Sequence, residues 1–66
     1  MDILEKARIR LEHWITHNDH HQEEYVMFAE QLEEAGKEKS AKEVRKMIEL
    51  TARSTQCLRD ALKELQ

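Results

Sequence analysis

Along the first half of the chain, seam positions recur at alternating steps of three and four. The series runs Leu4, Ala7, Leu11, Trp14, Asn18, His21, Tyr25, Phe28, Leu32 and Ala35, and only Asn18 and His21 interrupt its apolar character. Steps of three and four keep residues on one face of an α-helix. The pattern therefore predicts a helix over about residues 3–35 with a coiled-coil-like heptad seam. Asp2 stands before it as N-cap, with Glu5 three residues later as the partner of a capping box.

Gly36 is the only glycine, and it follows the last periodic residue. That is where a helix ends in the left-handed conformation. Residues 36–40 read as a turn, and Ser40 with Glu43 reads as the cap of a second helix over about 41–65. There Ala41, Val44, Ile48, Thr51, Thr55, Leu58, Leu62 and Leu65 repeat the alternation, with Thr51 and Thr55 as the interruptions. So short a link makes the two helices antiparallel neighbours. Folding the chain back at Gly36 sets Leu32 against Ala41, Tyr25 against Ile48 and Trp14 against Leu58. The same register sets His21 against Thr51 and Asn18 against Thr55, so the two polar interruptions coincide in one layer.

A competing reading breaks the first helix. Thr16, Asn18 and Asp19 are all good N-cap residues, and Asp19 with Gln22 could open a new helix. Against it, the heptad phase carries through Thr16 to Asp19 without a slip.

The fold class expected is all-α, an antiparallel two-helix hairpin. A hairpin buries one side of each helix, and Trp14, Tyr25 and Phe28 are large for it to cover alone. Pairing of two hairpins as a homodimeric four-helix bundle is the expected remedy.

Composition narrows the function classes. The chain has 66 residues, 38% of them charged, with no proline. Its net charge of −3 argues against nucleic-acid binding, which needs a basic face. No apolar run is long enough to span a membrane. No secretion signal is visible and the single Cys57 has no internal disulfide partner, so a reducing cytoplasm is expected. Cys57, beside Leu58, reads as a small packing residue near Asn18 and Ile15. No phosphate-binding glycine loop and no nucleophile with a base and an orienting acid is present, so the chain is expected not to be an enzyme.

The histidines carry the remaining chemistry. His13, His17 and His21 recur every four residues, His20 falls between, and Glu24 lies three beyond His21. Residues so spaced share a helix face. Neutral imidazole and carboxylate together suit a transition ion such as nickel, cobalt or zinc, so His13, His17, His21 and Glu24 form a candidate metal site. One helix rarely encloses an ion, so further ligands would come from a second helix or chain. The bland alternative is a solvated face that happens to carry histidines. The coinciding layer of Asn18, His21, Thr51 and Thr55 has two readings as well. It could support the ligating histidines, or it could fix helix alignment by hydrogen bonding, as a buried Asn does in coiled coils. In either case His21 is expected on the inner side near Thr51 or Thr55, with His17 at the rim and His13 and His20 more exposed.

The string Leu11-Glu12-His13-Trp14-Ile15, His17-Asn18, His21 and Glu23-Glu24, followed by Ala35-Gly36, resembles a prokaryotic family of short helical domains with an LEHWIxHNxxH motif. The resemblance spans about residues 11–45. It implies a stand-alone or appended helical domain and matches His13, His17 and His21, with His20 as an addition of this chain. Some members of that family are linked with cobalt or nickel handling, so the resemblance also implies a metal role. Two functions follow as expectations: a small cytoplasmic metal-binding module, or a purely structural dimerisation or partner-binding bundle.

Overall fold

The computed structural model describes residues 2–65. It holds two helices, α1 (Ile3–Glu34) and α2 (Glu38–Glu64), packed against each other as a hairpin. The Asp2 carboxylate accepts the Glu5 backbone N–H at 2.9 Å, so the expected cap opens α1. The helix then runs unbroken through Thr16 to Asp19. Thr16 and Asp19 are exposed and Asn18 is half-buried within the continuous helix, so the three-helix reading fails.

Gly36 sits at φ 77° and reverses the chain. Its N–H donates to the Glu33 carbonyl at 3.0 Å and the Lys37 N–H donates to the Leu32 carbonyl at 2.8 Å. Those two bonds are the Schellman closure, which satisfies the last carbonyls of α1. The second helix begins at Glu38, earlier than its pattern suggests, and Ser40 is not its cap. The Schellman closure already turns Lys37 into position, and the Lys37 carbonyl accepts from the Ala41 N–H at 3.0 Å. Lys37, Glu38 and Lys39 are strong helix formers, and Glu38 suits the positive end of the helix dipole. For the same reason Ala35 leaves the seam and becomes the C-cap of α1.

The hairpin is a rod of 51 × 16 × 11 Å with a radius of gyration of 15.4 Å. A compact chain of this length would have a radius near 11 Å. The seam of α1 is rotated from the one its heptads suggest. Trp14 and Phe28 are 47% and 50% exposed, and Leu4 is exposed too, while Ala29 is fully buried. Ala7, Leu11, Asn18, His21, Tyr25 and Leu32 of the expected seam are half-buried, and the buried face extends to one side of them through Ile15, Gln22 and Val26. The cause is helix spacing. Ala29 and Ala41 are the buried apolar residues among those described, and small side chains let the backbones approach near the turn. A phenyl ring at that level would hold the helices apart.

The two flanks of the seam differ in character. On one, Asp19 and Glu33 of α1 meet Arg59 and Arg45 of α2 as ion pairs. Each pair of residues on a helix is separated by two heptads, so the bridges repeat along one edge. On the other flank Trp14, His21 and Phe28 recur at seven-residue spacing. Ser54 of α2 lines the cleft beside His21 on this flank.

Candidate functional site

The middle of the hairpin is polar, but the residue that bridges it is Gln22, not His21. Gln22 Nε2 donates to the Ile48 carbonyl at 2.9 Å, and the Thr51 hydroxyl donates to Gln22 Oε1 at 2.8 Å. The Thr51 hydroxyl also lies 3.0 Å from the Ile48 carbonyl, so its single proton is shared. Thr55, nearly buried, donates to the Thr51 carbonyl of its own helix at 2.9 Å. Every buried side-chain nitrogen and oxygen among the described residues has a partner. The layer is thus Asn18, Gln22, Thr51 and Thr55. Gln22 and His21 are both half-buried, and of the two it is Gln22 that reaches across to α2.

His21 nevertheless stays beside the layer. With Asn18, Tyr25, Thr51 and Ser54 it lines a small surface cleft of about 90 Å³. Its ring stacks on Tyr25 with centroids 6.0 Å apart. The His21 side chain is 39% exposed, against 74% for His20.

Each nitrogen of the His21 ring has a polar neighbour. Nδ1 lies 3.2 Å from Glu24 Oε1, and Nε2 lies 2.9 Å from His17 Nε2. A His21 ring carrying its hydrogen on Nδ1, the side near the Glu24 carboxylate, leaves Nε2 with a lone pair. The His17 Nε2–H then donates to it, and the two rings meet edge-on with centroids 4.4 Å apart.

The other candidates do not join this pair. Glu24 lies 3.2 Å from the far nitrogen of His21 and 3.6 Å from His20 Nε2. His13 stacks loosely on His17, with centroids 6.1 Å apart, and faces an open groove with Lys6, Ile9, Arg10 and Trp14. Among the described residues, no three of His, Cys, Asp and Glu gather as a group able to hold an ion. The arrangement therefore supplies two converging ring nitrogens and one orienting carboxylate. Cys57 is exposed, so it is not the small packing residue that its sequence position suggests. The one residue that sequence reasoning missed is Gln22, whose signal was its place one position from the seam between Asn18 and Ala29.

An all-α hairpin with a polar, hydrogen-bonded middle is the class of protein that the fold defines. The chain belongs to a family described as a domain of unknown function, DUF8180, which matches residues 7–65. The family description carries no metal and no activity. No curated protein and no solved structure matches the chain. Among the described residues no helix is long and apolar enough to cross a membrane.

Proposed function

We propose that this chain is a non-catalytic assembly module that works as a homodimeric, antiparallel four-helix bundle. One observation carries the reading: the hairpin exposes far more surface than a finished fold of its mass. Its accessible area is 5483 Å². A compact monomer of 7.9 kDa exposes about 4,400 Å². The excess, about 1,100 Å², exceeds the roughly 800 Å² per partner of a standard stable interface.

Part of the apolar excess has a direction, although Ile9 and Met27 are exposed on the outer side of α1 as well. Trp14, Phe28 and Leu50 are each 47–57% exposed, with Trp14 and Phe28 on the flank away from the ion pairs. No large side chain is fully buried among the described residues, so the hairpin alone has little core. A second copy brings an identical aromatic flank, and a two-fold axis lets each flank cover the other. The ion pairs close the opposite edge with charge, which leaves one edge for association.

Sedimentation of the full chain at micromolar concentration tests this. The expected mass is twice that of the chain. Trp14→Ser with Phe28→Ser should shift it to the single-chain mass, whereas Ile9→Ser with Met27→Ser, on the outer side of α1, should leave it paired. A well-folded monomer of the natural chain would overturn the reading. A second reading, metal binding, is favoured by a separate observation, the contact between His17 and His21, and does not compete with assembly.

A further inference from the structure

We propose that His17 and His21 form a binding site for a divalent first-row transition ion that takes ligands at right angles, with Glu24 as its positioning residue. The two Nε2 atoms are 2.9 Å apart on one helix face. An ion bonded to two imidazole nitrogens at about 2.05 Å spans about 2.9 Å between them at a right angle, and about 3.3 Å at the tetrahedral angle. The 2.9 Å separation in the hairpin matches the right-angle value. Nitrogen ligands in square or octahedral arrays suit Ni²⁺ and Cu²⁺ rather than Zn²⁺.

Glu24 prepares one ligand. Its carboxylate lies 3.2 Å from His21 Nδ1 and favours the proton there by its charge, which leaves the Nε2 lone pair free for the site. A carboxylate behind a ligating imidazole fixes both ring orientation and tautomer. His17 lies at the exposed rim. To ligate, it moves its proton from Nε2 to Nδ1 through solvent, and the ion takes the place of the hydrogen between the rings. No net proton is released, and water fills the remaining positions. The pair is complete within one chain, so the site stands or falls independently of dimerisation.

The fold holds the pair at this spacing. Both residues lie within the unbroken α1, and the Tyr25 ring stacks on the His21 ring. His13 and His20 lack such a partner arrangement, with ring centroids 6.1 Å from His17 and 6.3 Å from His21 respectively.

The test is calorimetric titration of the full chain with Ni²⁺ and with Zn²⁺, alongside sedimentation in each condition. One Ni²⁺ per chain is expected, bound more tightly than Zn²⁺. His17→Ala or His21→Ala should weaken Ni²⁺ at least tenfold, and Glu24→Gln by about tenfold. His13→Ala and His20→Ala should change it less than about twofold, being outside the converging pair. Paramagnetic broadening should be strongest at the His17 and His21 ring protons. Ring ¹⁵N shifts of the Glu24→Gln variant should show His21 losing its Nδ1–H preference, which a merely structural glutamate would not affect. All five positions are exposed or half-exposed on one helix, and circular dichroism confirms folding of each variant. Absence of Ni²⁺ binding, tighter binding of Zn²⁺, or equal losses from His13→Ala and His20→Ala would overturn the proposal.

Discussion

The Thr51 hydroxyl crosses the hairpin to Gln22 Oε1 at 2.8 Å, while the amide of the same Gln22 returns to the Ile48 carbonyl at 2.9 Å. This exchange ties the middle of α1 to the middle of α2 at one register. Sliding α2 by a turn would strand a glutamine amide and a hydroxyl in the seam. Truncation by Gln22→Ala is expected to destabilise the fold by about 1–2 kcal/mol, as a partner is removed from a part-buried donor. Gln22→Leu with Thr51→Val removes both polar groups together and should cost less, with a loss of unique alignment. Urea unfolding of both variants, with amide line widths as the measure of alignment, checks the pair.

Gly36 gives the cleanest single-residue expectation. Its φ is 77°, and a methyl group added there would meet nothing within 4 Å. Gly36→Ala therefore costs only the backbone strain of the left-handed region, about 1–2 kcal/mol, with Gly36→Asn milder. A fall in melting temperature without change in helix content is the outcome to look for.

Acid should weaken one edge of the rod. The hydrogen bond from Arg45 holds the Glu33 carboxyl below the ordinary carboxylate range, and the same bond raises Arg45. A lowered folded-state value means that the stabilisation is fully present above the ordinary value. It is lost as pH falls through the lowered one. The stability gap between the natural chain and Glu33→Gln should thus be present at neutral pH and close in acid. Both side chains are 44% exposed, so salt should narrow the gap as well. Melting curves across pH and ionic strength measure both effects.

If two chains unfold together, the melting temperature must depend on concentration. Taking about 0.7 kcal/mol of unfolding enthalpy per residue, a tenfold rise in concentration should raise it by about 5–6 °C. The Trp14→Ser, Phe28→Ser double variant should lose that dependence.

Periodicity made the hairpin legible, because steps of three and four and one glycine leave few other folds. The Asp2 cap and the turn followed from the same local rules. What heptad counting could not fix was rotation about the helix axis. Trp14, His21 and Phe28 satisfy the period as well as Ile15, Gln22 and Ala29 do. The choice depends on how closely the backbones approach, which is set by the pairing of small residues across the two helices. Ser40 misled for a related reason: a good cap residue is not used when the chain has already turned at Gly36. The histidine spacing correctly put His17 and His21 together on one face. It could not tell which ring nitrogen each would present, since that depends on rotamers and on Glu24.

The short connection at Gly36 also has a kinetic consequence. Ala29 and Ala41 are about a dozen residues apart in the chain, and closing so small a loop takes about 10–100 ns. Zipping can therefore begin at the turn and add contacts outward, each new turn of helix extending an existing pair rather than searching for one. Opening should run the other way, from the ends at Asp2 and Leu65. Amide hydrogen exchange is expected to be fastest at those ends and slowest between the Gln22–Thr51 bond and the turn.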